Sequence, residues 1–484
     1  MAIAAGSDTA PALLHLAVAA LGFTALHGFL RTRAGQPAAW FGVAVLASVT
    51  SLTTLATRAY VDWGVITFGF LAYWALEEAI WQRDRRWLVL SAVLAGMTMG
   101  SKYTGLFPVA GVGLVLGWQV LRGTGVQGVR PVTTRWRDLA LWGGVATAVV
   151  SPWLVRNLLL TGNPVYPFLF GGWQWDAWKT AWITRPGTGL MTEPLRVLLA
   201  PWEVTVLGQE GRLYDASLGP LLLALLPLGL LCLLPARNQG RWPARALAVA
   251  AVAYGCWLAG AAQSSLLMQG RLLLPVAPLL AAAAAAGWVR LIATDAAPVR
   301  AGWLSGVVVA MVAVVSFGTL ALTWAGNPPL PVLAGAESRE TYHTRTLGAY
   351  AEATGWVNLD LPPDARILQL WEPRTYLCQR ACHADALLFN WRYLLHTHGD
   401  ASAVAAALRQ AGYSHVLING GGLRFFTEPP EVEAEPAHVQ ALHQMLGSHA
   451  ALVQGTPIAE TLAQPLSAVA GRGYALYALT PGSR

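Results

Sequence analysis

Apolar residues fill most of the chain in runs near the roughly 20 residues that cross a bilayer as a helix, and short polar breaks separate them. The runs predict spans at Pro11–Leu30, Ala38–Thr57, Trp63–Gln82, Trp87–Ser101, Thr104–Leu121, Leu139–Val155, Leu218–Leu234, Ala246–Ala262, Leu272–Val289 and Gly302–Trp324. The fourth and fifth are close enough to form a helical hairpin. About ten spans, an even number, put both chain ends on one side. From about Pro328 the pattern changes. Ala365–Leu370 and Ser414–Asn419 read as strands and Ala401–Gln410 as a helix between them. The expected fold is mainly α, a polytopic membrane helical domain over 1–327 with a small extracytoplasmic α/β domain over 328–484.

Composition agrees with this reading and adds little: 55% of the 484 residues are hydrophobic, 12% are charged, and the mean hydropathy is +0.47, values outside the soluble range. The charges decide orientation. Arg31, Arg33, Arg83, Arg85, Arg86, Arg122, Arg130, Arg135, Arg137, Arg237, Arg241, Arg245, Arg290 and Arg300 crowd one set of alternate loops. The opposite short loops carry only Arg58, Lys102 and Arg271. Short cytoplasmic loops retain positive charge, so the first set is expected inside. Both termini, Asp62, a long loop at about 156–217 and the C-terminal domain are then expected outside. The net charge of +7 reflects orientation, and no basic run outside those loops suggests nucleic acid. The Pro11–Leu30 run lacks a positive leader and a small-residue cleavage site, so it reads as a span rather than a signal peptide.

Asp62, in the break Arg58-Ala59-Tyr60-Val61-Asp62, is the leading candidate for chemistry, because a carboxylate at a span end must face protein, water or a headgroup. The bland reading is an ion pair with Arg58, worth roughly 0.3–1 kcal/mol. Arg156 and Asn157 end the sixth span before the turn Thr161-Gly162-Asn163-Pro164, Lys102 and Tyr103 end the fourth, and Gln269-Gly270-Arg271 opens the ninth. One carboxylate and several cations at the outer boundary suit a substrate with a phosphate at headgroup level and a reacting group above it. Cations neutralise the phosphate, and the carboxylate takes a proton from an acceptor hydroxyl. The same cations could merely snorkel to the interface.

Other residues invite blander readings. Glu77 and Glu78 are expected to pair with Arg83, Arg85 or Arg86. Trp173, Trp175, Trp178 and Trp182 read as an interfacial belt, His383, Asp385, His396 and His398 fit no standard metal site, and Gly420-Gly421-Gly422 reads as a loop. Cys232 and Cys256 read as packing residues. Cys378 and Cys382 face an oxidising side that permits a disulfide, although their three-residue spacer is short for one.

The segments Tyr60-Val61-Asp62, Gly100-Ser101-Lys102-Tyr103-Thr104, Pro152-Trp153 through Arg156-Asn157, Thr161 to Pro167 and Gln269 to Pro275 together resemble the membrane-integral glycosyltransferases of the GT-C superfamily. That group includes bacterial lipid-A aminoarabinose transferases and protein O-mannosyltransferases. The resemblance covers Pro11 to about Val289 and implies a bacterial inner-membrane enzyme. It would transfer a hexosyl or pentosyl group, with inversion, from a polyprenyl-phosphate-linked donor to an envelope acceptor of unspecified identity. It implies that Asp62 assists the base or a divalent metal, the one cofactor to be considered. It further implies that Arg58, Lys102, Tyr103, Arg156, Asn157, Tyr166, Gln269 and Arg271 hold the donor and its lipid phosphate. Family members begin with an earlier outward span and a long outer loop carrying the principal acidic residue. Here Pro11–Leu30 looks like the second family span and Asp8 is the only earlier acid. The chain is therefore expected to be N-terminally incomplete or a degenerate member. A binding or scaffold protein of GT-C type and a lipid-linked-substrate flippase are the alternatives.

Overall fold

The protein is described here from a computed structural model over residues 9–122, 132–184, 194–208, 214, 216–234, 240–293, 300–326, 328, 330–425, 436–458 and 473–480. Asp8, Arg130 and Arg237 lie outside the described residues. Two compact units result, Met1–Leu322 and Thr323–Arg484.

The first unit is helical: α1 Ala10–Ala34, α2 Gln36–Ala47, α3 Thr50–Ala56, α4 Asp62–Gln82, α5 Arg85–Ser101, α6 Leu106–Leu121, α7 Val132–Thr161, α8 Ala177–Ile183, α9 Pro194–Trp202, α10 Pro220–Leu231, α11 Trp242–Gln263, α12 Ala277–Ile292 and α13 Ala301–Gly326. All ten apolar runs are helical. Among the described residues, five helices are long and apolar enough to cross a membrane, or six if one bent pair counts as a single span. Of the other runs, α4 carries three acidic residues, α5 has 17 residues, and α10 has 12 with Pro227 inside, a rise of about 18 Å.

The second predicted span is not continuous. It breaks between α2 and α3 with a bend of 79°. Ser48 Oγ bonds back to the Val45 carbonyl at 2.7 Å, Val49 is extended with ψ 94°, and the indole of Trp63 holds the Leu52 carbonyl at 3.0 Å. A side chain that satisfies backbone groups outside the ladder lets a helix bend sharply.

Packing centres on α12, where Ala281 through Ala286 are buried; small side chains permit close approach where lipid supplies no hydrophobic drive. The acidic pair of α4 reaches other partners than expected. Glu77 takes Arg245 of α11 in a two-pronged pair, 2.6 and 2.5 Å, and Glu78 takes Arg33 of α1 at 2.8 Å. Arg85 instead meets Asp138 of α7 at 2.8 Å. The cause is packing: Glu77 faces the bundle interior and is 1% exposed, so only a cation arriving from a neighbouring helix can neutralise it.

The second unit places α14 Leu330–Leu333, α15 Arg339–Leu347, α16 Ala349–Asp360, α17 Asn390–His398, α18 Ala401–Gln410, α19 Gly420–Phe425 and α20 Pro436–His449 about a sheet. Its strands are β1 Arg366–Leu370, β2 Ala381–His383, β3 His415–Asn419, β4 Ala450–Gly455 and β5 Tyr474–Leu479. Their order is β2-β1-β3-β5-β4. β1 is parallel to β2 and β3, with Leu368 opposite Val416, whereas β5 is antiparallel to β3 and β4. Two strands and the helix between them lie where the sequence pattern puts them. The glycine triplet does not form the expected loop; it starts α19. Asn419 Oδ1 accepts the Gly422 amide at 3.1 Å, and glycine is required there because a Cβ would sit 2.6 Å from the Trp371 carbonyl oxygen.

Candidate functional site

Asp62 opens α4, where an acid in the first turn meets the positive end of the helix dipole. The amide of Trp63, one of the helix's otherwise open donors, is accepted by Nε2 of the buried His15 on α1 at 3.0 Å. Gly64 lets α5 come close, since a Cβ there would stand 2.9 Å from Ser101 Oγ. The next residue, Lys102, is extended (φ −165°, ψ 145°) and delivers Nζ to Asp62 Oδ1 at 3.1 Å. Side-chain exposure is 6% for Asp62 and 27% for Lys102. The second carboxylate oxygen, Oδ2, is buried and has no hydrogen-bond partner. Buried charged oxygens without partners are rare in folded proteins and call for a specific explanation.

The break between α2 and α3 brings Ser51, Thr54 and Leu55 to a cavity of about 30 Å³ that Arg58, Tyr60, Ala216 and Arg271 complete, room for one or two water-sized groups. Arg271 lies over the Tyr60 ring, 5.7 Å from its centroid, and its Nε donates to Gln269 Oε1 at 2.8 Å. Trp257 Nε1 holds the Gln269 carbonyl at 3.1 Å, and the Gly270 amide bonds the Tyr214 carbonyl at 2.5 Å. The Tyr214 hydroxyl in turn donates to Glu203 Oε2 at 2.5 Å. Arg58, Tyr60, Asp62, Lys102, Gln269 and Arg271 therefore meet at one end of the bundle.

Beside Lys102, the Tyr103 hydroxyl accepts from Asn157 Nδ2 at 2.8 Å and donates to the Tyr166 carbonyl at 2.9 Å. Asn163 fixes the turn above, with Nδ2 on the carbonyls of Phe168 (2.9 Å) and Gly171 (2.6 Å) and Oδ1 on the Val165 amide (2.9 Å). Burial raises the pKa of the Tyr166 phenol. Arg156 stacks over Trp153, 5.1 Å from the ring centroid. Trp178 and Trp182 stack on each other, while Trp173 is 63% exposed.

Asp62 offers a divalent cation one unpartnered oxygen, Oδ2. An ammonium occupies one carboxylate oxygen, and no group of three His, Cys, Asp or Glu able to hold a metal occurs among the described residues. In the second unit, Asp385 is spent on the amides of Trp371, Phe389 and Asn390, and His383 pairs with the Tyr413 hydroxyl. Cys378 and Cys382 are joined by a disulfide; Cys232 and Cys256 are free.

Residues 1–155, which carry Asp62 and Lys102, match the family model described as dolichyl-phosphate-mannose-protein mannosyltransferase. Among solved structures, the chain resembles ArnT from Cupriavidus metallidurans bound to undecaprenyl phosphate, with TM-score 0.51, 15% identity, and 97% of this chain and 85% of that chain covered. The apo form of the same ArnT gives TM-score 0.50 and 14% identity over 97% of this chain and 84% of that one. This chain has the GT-C fold. No curated protein matches it. Within the GT-C fold the apolar helices make it a multi-pass membrane protein, and the site described above lies at span ends rather than at mid-bundle.

Sequence reasoning missed two contributors. His15 is one of two histidines, with His27, in a run that is otherwise apolar but for Thr24, and membrane energetics marks an ionisable residue inside a span as a candidate for function. Glu203 sits in an apolar stretch of the long loop, and the same rule selects it.

Proposed function

We propose that this chain is a membrane glycosyltransferase that moves a sugar from a polyprenyl-phosphate-linked donor to an envelope acceptor on the outer face of a bacterial plasma membrane, with both chain ends outside. The observation that carries the reading is Asp62: one carboxylate oxygen held by Lys102 and the other buried without a partner. An acceptor hydroxyl would complete it.

The acceptor hydroxyl donates to Asp62 Oδ2 and passes its proton there as its oxygen attacks the anomeric carbon. The bond from that carbon to the phosphate oxygen breaks, and the lipid phosphate departs with the electron pair. A single displacement inverts the anomeric centre. Arg58 and Arg271 stabilise the leaving phosphate as fixed cations, with Gln269 orienting Arg271, while Tyr103, Asn157 and Tyr166 shape the wall beside Lys102. Arg156 adds a cation at the outer turn. Further support comes from an apolar groove of about 560 Å³ between α10, α11 and α12, lined by Leu222, Leu226, Leu247, Ala251, Leu273 and Leu280. Leu273 lies two residues from Arg271, so an isoprenoid tail in the groove would leave its phosphate at the cations.

The test uses radiolabelled polyprenyl-phosphate sugar in proteoliposomes. Wild type is expected to release polyprenyl phosphate and label an acceptor fraction, and Asp62→Asn to lose at least about 100-fold in rate with membrane insertion unchanged. Movement of label across the bilayer without cleavage would make the protein a flippase. Binding without either would leave a binding protein.

A further inference from the structure

We propose a second lipid site at the opposite end of the bundle, which takes an anionic phospholipid of the leaflet away from Asp62. It does not rest on the transferase reading. α6 begins beside Lys102 and therefore beside Asp62, so its far end, Arg122, faces the other side. α6 and α11 cross where Gly111 lies against Val249; a Cβ on Gly111 would stand 2.8 Å from the Val249 carbonyl oxygen. Beyond that crossing a groove of about 940 Å³ opens between the two helices and the end of α10.

Two features identify the occupant. The groove's inner walls are apolar, with Leu114, Ala248 and Val252, and its mouth carries Arg122, Arg241 and Arg245. Arg245 is already neutralised by Glu77, which leaves Arg122 and Arg241, both exposed, as the net positive charge. Arg122 is placed by stacking over Trp118, 4.5 Å from the ring centroid. Arg290 holds the third wall by donating to the carbonyls of Leu231 (2.6 Å) and Leu234 (2.9 Å). From Gly111 to Arg122 the helix rises about 16 Å, close to one hydrocarbon leaflet, about half of the 30 Å core. A soluble phosphate would use the mouth and leave that depth empty. A phospholipid fills it with one acyl chain and places its phosphate between the two arginines.

Native mass spectrometry of the full-length protein in detergent, titrated with phosphatidylglycerol or phosphatidylcholine, tests this. Wild type is expected to retain phosphatidylglycerol selectively. Each interfacial arginine is worth about fivefold in affinity for an anionic lipid, so R122Q/R241Q should weaken it by about 25-fold. R31Q/R83Q removes the same charge outside the groove and should leave binding within about twofold. L114W fills the apolar part with every charge in place and should also displace the lipid. No preference in wild type, equal loss in both arginine pairs, unchanged binding in L114W, or full competition by inorganic phosphate would each overturn the proposal.

Discussion

Replacing Lys102 by Met tests whether the Asp62 pair is a buried ion pair or a surface one. At 3.1 Å the attraction is about 5 kcal/mol for an effective dielectric near 20. Lys102 keeps 27% of its side chain exposed, so water and its flexible stem recover part of that. The larger cost falls on Asp62, which in Lys102→Met would have neither oxygen paired with a cation while staying 5% exposed. Breaking a buried pair typically costs 3–5 kcal/mol, and with the partial exposure about 2–3 kcal/mol is expected here. Asp62→Asn alone leaves a lysine that can turn to the interface, at about 1 kcal/mol. The double variant removes both charges and should recover most of the loss, giving a coupling energy of about 2 kcal/mol. Denaturant unfolding of the four proteins in one detergent provides the cycle. A coupling below about 0.5 kcal/mol, the range of exposed pairs, would refute the burial argument and with it the claim that Asp62 is held for a substrate.

Gly422→Ala places a Cβ 2.6 Å from the Trp371 carbonyl oxygen and should destabilise the C-terminal unit by about 1–3 kcal/mol, read as faster proteolysis of that unit; unchanged resistance would mean the α19 entry can shift freely. Asn163→Ala removes three hydrogen bonds across the turn, each worth about 1 kcal/mol, and should raise amide exchange over residues 163–171. Burial holds the Asp385 carboxyl at about 6 in the folded protein against an ordinary 3.8. The folded chain then keeps a proton that the unfolded chain has lost, so stability is full below about pH 4, falls by up to about 3 kcal/mol as pH rises through 6, and is level above. Thermal unfolding of the C-terminal unit at successive pH values checks this, and a flat profile there would contradict it.

Hydropathy alone determined that this is a multi-pass helical membrane protein, because one bilayer thickness sets one segment length and leaves its mark on every span. Two of the five C-terminal strands, β1 and β3, and the helix between them were equally legible, since period-two and period-3.6 patterns are local; β2, β4 and β5 were not read. Asp62, Lys102, Gln269 and Arg271 could be selected as candidates because charge in a membrane protein is sparse and a span end is recognisable. Which charges meet was beyond the sequence. Glu77 lies six residues from Arg83 yet pairs with Arg245, 168 positions away, because the partner of a buried charge is set by which helix packs across it. The break at Ser48 and Val49 was invisible for the same reason: it depends on Trp63 and on Ser217, whose amide bonds Ser51 Oγ at 3.0 Å, and both arrive from elsewhere in the chain. Tertiary packing alone also left Asp62 Oδ2 without a partner, since hydrogen-bond satisfaction depends on every atom within 3.5 Å and on none of the intervening sequence.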